Sequence, residues 1–129
     1  MEITGDVSVQ VTAPAVAEQV GLVRHAISGV LTDSAVPDST ALDVLLALDA
    51  MCSVVIASSG ESRRLRCVCT VGDDCAELQV TGHLLGDVAL VRRGYAWRLL
   101  DRAVEGLMVA THDDGVVQLS GRKAYRSNR

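Results

Sequence analysis

Two kinds of pattern alternate along this chain: short runs with a period of two, and longer runs in which apolar side chains recur at helical spacing. Residues 7–12, VSVQVT, alternate apolar and polar positions, as a half-buried strand does. Pro14 ends that run and can open a helix. Val16, Val20, Val23, Ile27, Val30 and Leu31 then recur at helical spacing, with Arg24 and His25 on the more polar sides. His25 reads as a surface residue. After a loop at 32–39 comes the longest apolar stretch, residues 42–59, LDVLLALDAMCSVVIASS, which contains neither Gly nor Pro. Apolar positions fall on most sides of its wheel, which predicts a buried helix. Asp38 or Ser39 would cap its start and Gly60 would stop it. Leu45, Leu48, Cys52 and Val55 are expected to face a sheet.

The second half of the chain is richer in strand pattern. Residues 63–71 and 75–81 are two β-rich runs, with Gly72, Asp73 and Asp74 supplying turn chemistry between them. Residues 82–87 read as a loop, followed by an apolar run at 88–91 and then Arg92, Arg93 and Gly94. Residues 95–105 show helical spacing in Trp97, Leu100 and Val104, and Gly106 is expected to break that helix. Residues 107–111 and 116–120 read as two more strands, joined by a turn from His112 to Gly115. The order β-α-α-β-β-α-β-β predicts an α+β two-layer sandwich. Its mixed, mostly antiparallel sheet of about five strands would be covered on one face by three helices.

Composition narrows this picture. A chain of 129 residues suits a single domain spanning 1–129, with its core at about 7–123 and a short basic, solvated tail at 124–129. With 49 % hydrophobic residues but no Phe, two Tyr and one Trp, the core has to be aliphatic. A formal charge of −4 gives no reason to expect direct nucleic-acid binding. Asp43 and Asp49 interrupt the longest apolar run below the ~18–20 residues of a membrane span. No signal peptide is read at the N-terminus, so a cytoplasmic location without membrane association is expected. Cys52 falls in the buried helix, and Cys67 and Cys69 fall on one face of a strand. Cys75 opens the next run. The spacing is not that of a zinc site. Reduced thiols are the main expectation, with a cross-strand disulfide or a metal site including His83 as lesser alternatives. The pairs Asp73-Asp74 and Asp113-Asp114 are read as turn residues. Neither a G-x-S-x-G elbow nor a P-loop occurs.

Two segments, LALDAMCSVVI and GYAWRLLDRAVEGLMV, resemble landmarks of the GHKL, or Bergerat-fold, ATPase superfamily, and within it the small anti-sigma-factor serine kinases of bacteria. The first resembles the N-box helix, roughly L-A-x-x-E-A-x-x-N. The second resembles the glycine box with its following helix and strand, roughly G-x-G-L-x-L-V. Leu78, Gln79, Val80 and Thr81 resemble the strand that leads into the box V-x-D-x-G. Order and spacing match over nearly the whole chain; the chemistry departs from the family. The N-box Glu falls on Ala50 and the Mg2+-holding Asn on Val54. The adenine-reading Asp falls on Gly82, and the glycine after it on Leu84. Gly94 is retained in the glycine box, while its second glycine is Ala96 and the next Leu is Trp97. Asp49 and Ser53 lie next to the two N-box positions, but about 100° away on the helix.

The resemblance therefore implies a vestigial nucleotide pocket built from Asp49, Ala50, Ser53, Val54, Gly82, Gly94, Ala96 and Trp97, with no catalytic or metal-binding residue. Two readings of Trp97 stand: ordinary packing of helix on sheet, which is the main expectation, or, together with Val54, a filling of part of the vacated space. The function implied is that of a degenerate anti-sigma-factor-like regulator acting by protein–protein contact. Its partner would be a sigma factor or an antagonist protein, and a homodimer is plausible. No cofactor is expected. The alternative is a divergent ATP-binding serine kinase, which alone would require ATP and Mg2+.

Overall fold

Strands and helices form in the expected order. The structure, a computed structural model, describes residues 7–59, 63–84, 92, 94–112 and 114–126. Strand β1 is Val7–Pro14, helix α1 is Val20–Asp33 and helix α2 is Asp38–Ser58. The hairpin β2 (Arg64–Val71) and β3 (Cys75–His83) follows. Helix α3 (Tyr95–Ala103) then leads to a second hairpin, β4 (Glu105–Thr111) and β5 (Val116–Ala124). The sheet order is β1-β2-β3-β5-β4.

Every neighbouring pair in that sheet is antiparallel, so the sheet is not mixed. The route through α3 explains this. The chain leaves β3, crosses to the far edge as β4, and returns as β5 between β4 and β3. Each strand thus meets its neighbour running the opposite way.

Several boundaries move for identifiable reasons. Backbone pairing carries β1 through Pro14, and the N–H of Ala15 still bonds Arg63 O at 2.9 Å. Helix α1 is delayed accordingly and entered through a 3-10 turn at Ala17–Gln19. Neither Asp38 nor Ser39 caps α2. Pro37 occupies the cap with φ −55° and ψ 142°, and its carbonyl accepts the Ala41 N–H at 2.8 Å. Asp38 sits instead in the first turn, where its charge suits the helix dipole. Gly60, the apolar run at 88–91 and Arg93 lie outside the described residues. Gly82 and His83 belong to β3 rather than to a loop, and Leu84 makes an isolated antiparallel bridge with Ser59. Helix α3 ends at Ala103. Glu105 and Gly106 already belong to β4, at a register irregularity between Glu105 and Met108.

The chain after Lys123 is not simply a solvated tail. Ala124 pairs with Cys75, the Tyr125 N–H donates to Asp74 O at 2.9 Å, and the Tyr125 hydroxyl donates to Gly72 O.

The core is aliphatic and lies between the helices and one face of the sheet. Leu65, Cys67, Cys69 and Val71 of β2 alternate inward, as do Ala76, Leu78 and Val80 of β3 and Val117 and Leu119 of β5. Helix α2 runs through the middle of the helical layer, with Leu45, Leu48, Cys52 and Val55 all buried. It packs against α1, α3, β3 and β5. By length and composition alone α2 could cross a membrane: its 21 residues include an 18-residue stretch of mean hydropathy 2.0 despite the two aspartates. In this fold 56 % of that stretch is buried inside the domain. The other face of the sheet carries Thr70, Gln79, Ser120 and Met108, and no helix among the described residues covers it.

Candidate functional site

The expected site residues are carried by α2, by β3 and by α3 with its cap, and α2 packs on both β3 and α3. Ala50 and Val54 stand one helical turn apart on the buried side of α2, 3 % and 5 % exposed. Both belong to the same apolar cluster as Leu100, against which Ala96 and Trp97 of α3 are packed half-buried. None of Ala50, Val54 or Gly82 brings a side-chain oxygen or nitrogen to this junction.

Gly82 shows why. A Cβ built on it would lie 2.3 Å from Cγ1 of Val55, 3.5 Å from Oγ of Ser59 and 3.7 Å from Cδ2 of Leu65. Glycine here allows helix and strand to approach closely, and the space a side chain would need is taken by the helix itself. The three atoms nearest to position 82 thus come from α2, from the residue that caps its end and from β2. The end of α2 is closed onto itself as well. Ser58 Oγ donates to Val54 O at 3.2 Å, and Ser59 Oγ donates to Val55 O at 2.7 Å.

The two polar neighbours face elsewhere. Asp49 forms an ion pair with Arg24 of α1. Ser53 is exposed. The Arg24–Asp49 pair joins the polar edges of two packed helices; each residue reads only as a polar wheel position in sequence, and their pairing depends on how the helices pack. A second ion pair, Lys123 to Asp43 at 3.6 Å, ties β5 to the start of α2.

Gly94 has a backbone reason to be glycine. It holds φ 95° and ψ −176°, a region essentially closed to other residues, as the cap residue preceding α3. Its carbonyl accepts the Arg98 N–H at 3.1 Å.

The thiols are placed as their pattern predicts. Cys52, Cys67 and Cys69 are buried, and all four cysteines are free. Cys52 Sγ and Cys67 Sγ lie 3.9 Å apart, linking α2 to β2. The hydrogen bond to Cys67, together with burial, pushes the Cys52 thiol well above its ordinary range. Burial pushes the Cys69 thiol up to about 12. Among the described residues no cluster of three or more His, Cys, Asp or Glu side chains could hold a metal ion. A shallow groove of about 490 Å3 lies away from this junction, on the sheet face opposite the helices, lined among others by Val68, Thr70, Gln79, Met108 and Ser120.

No family model and no curated protein matches the sequence. Solved structures do match the fold. One of them contains the RsbU and RsbW domains of a Mycobacterium tuberculosis protein. It superposes with a TM-score of 0.66 at 13 % identity, over 95 % of the present chain and 33 % of that one. The present chain thus spans about a third of that neighbour's length. At this identity the likeness is one of fold: the α+β sandwich expected from the sequence resemblance is an architecture also found in a protein with an RsbW domain.

Proposed function

We propose that this chain is a regulatory binding domain of the anti-sigma-factor type that acts by protein–protein contact and without ATP-dependent phosphotransfer. The fold likeness to a structure containing an RsbW domain supports the first part, RsbW being an anti-sigma serine kinase of the GHKL superfamily. The observation that carries the second part is the packing at Gly82. ATP with Mg2+ does not fit the residues present. A methyl group at Ala50 cannot take a proton. Val54 offers no oxygen to a cation that demands oxygen ligands. Val55 stands where an adenine-reading side chain would project. Asp49 is engaged by Arg24, so it is not free to replace the missing N-box carboxylate. What the chain retains is a folded surface, and a surface acts by binding.

Titration calorimetry with Mg-ATP should give no affinity tighter than about millimolar, or roughly 4 kcal/mol. A magnesium-dependent micromolar isotherm would establish the kinase reading instead. Affinity capture with the whole chain as bait should retain a sigma factor or an antagonist protein; capture of neither rejects the regulatory reading.

A further inference from the structure

Helix α3 has two dissimilar sides. Leu100 is buried, and Ala96, Trp97, Leu99 and Ala103 pack against the core. Tyr95, Arg98, Leu99 and Arg102 fall at i, i+3, i+4 and i+7, a single stripe in which Leu99 reaches the core and the other three stand exposed. Together they line a cleft of about 300 Å3. Tyr95 is 75 % exposed in a chain with only three aromatic residues, while Leu99 is half-buried at the base of the stripe. Among the described residues neither Arg98 nor Arg102 has a side-chain hydrogen bond or ion pair. Asp101 lies on the flank of the stripe, about 60° from Arg98, and does not pair with it. Arg92, just ahead of the helix, is exposed too.

This is a local concentration of positive charge on a chain whose formal charge is −4. Tyr and Arg are also the residue types that most often anchor protein interfaces. A guanidinium binds a carboxylate through two parallel hydrogen bonds. The Tyr95 ring and the exposed part of Leu99 form the apolar part of the cleft that Arg98 and Arg102 also line. The chemistry that complements such a stripe is carboxylate on both sides of an aliphatic side chain.

We infer that this face of α3 docks an acidic, leucine-bearing segment of a protein partner. The inference rests on the regulatory reading above and specifies the surface and partner chemistry it would use. The partner's carboxylates meet Arg98 and Arg102, and its aliphatic side chain enters the cleft beside Tyr95.

The test uses the full chain and a fluorescein-labelled synthetic peptide with Glu and Leu at helical spacing, followed by anisotropy. The wild-type chain should bind this peptide, more tightly at low salt, and should not bind the same peptide with Lys in place of Glu. Arg98→Glu combined with Arg102→Glu should weaken binding about tenfold or more. Arg64→Glu, on the sheet face opposite the helices, should leave it unchanged. Circular dichroism should show both variants folded, since every replaced side chain is exposed. Equal binding by wild type and the Arg98/Arg102 variant, equal binding of the Lys peptide, or a preference for phosphatidylglycerol vesicles over the acidic peptide would each overturn the inference. The same variant separates this surface from the broader reading. If wild type and variant capture the native partner equally well, the surface is wrong and the regulatory function stands. If neither captures a partner, both are rejected.

Discussion

At position 82 the absence of one side chain lets α2 settle onto β3. The 2.3 Å separation between a built Cβ and Val55 Cγ1 is closer than atoms can stand, so even Gly82→Ala should cost about 1–3 kcal/mol in urea denaturation. In a Val55→Ala background that cost should shrink, because the clashing methyl is gone. A neutral Gly82→Ala would show that helix and strand are not in contact there. Gly82→Asp should cost more still, because it buries a carboxylate as well. Adding Ala50→Glu, Val54→Asn and Gly82→Asp together should therefore unfold the domain before it restores a nucleotide site. Cys69 gives a second residue-level expectation. In the unfolded chain its thiol titrates near 9.0, but in the fold it is raised to about 12. Its contribution is complete below the unfolded value and is lost as pH rises from there toward the folded one. By pH 10 the loss should reach about 1.4 kcal/mol. Denaturation from pH 8 to 10 should show a stability decline that Cys69→Ala reduces; identical slopes would place the Cys69 thiol in contact with water.

Helix α2 holds the structure together because it meets α1, α3 and the sheet at once. Its apolar positions occupy most of its circumference, and two of its acidic exceptions are paired, Asp49 with Arg24 and Asp43 with Lys123. Leu48 is fully buried, so Leu48→Ala should cost about 2–5 kcal/mol by chemical denaturation. A loss under about 1 kcal/mol would mean that α2 is peripheral. The Arg24–Asp49 pair is partly solvated and belongs to a lower range, about 1 kcal/mol or less. The packing of α2, rather than its charges, sets the stability of this layer.

For the molecule as a whole, a nucleotide that binds the native state would raise its melting temperature by mass action. At 1 mM Mg-ATP and a Kd no tighter than about millimolar, the gain is under about 0.4 kcal/mol, which moves the midpoint by less than about 2 °C. Scanning calorimetry with and without nucleotide reads this directly, and a rise of about 5 °C or more would contradict the proposed lack of nucleotide binding.

The element order and the aliphatic core were legible in the chain because both follow from local periodicity. A period of two marks strands, a period of 3.6 marks helices, and Gly with Asp marks the turns between them. The central place of α2 followed in the same way, from a wheel with almost no polar side. That Ala50, Val54 and Gly82 bring no polar side chain to the positions the sequence resemblance singles out was also legible in the chain. What occupies the space at Gly82 was not visible. Val55 of α2 and Leu65 of β2 both reach Gly82 of β3 from other elements, and only packing brings them there. The pairing of Arg24 with Asp49, the contact of Cys52 with Cys67, and the return of Tyr125 to the β2–β3 turn are likewise contacts between distant segments. Periodicity assigns a side chain to a face. The partner across that face depends on interhelical packing and strand register, which the tertiary fold alone decides.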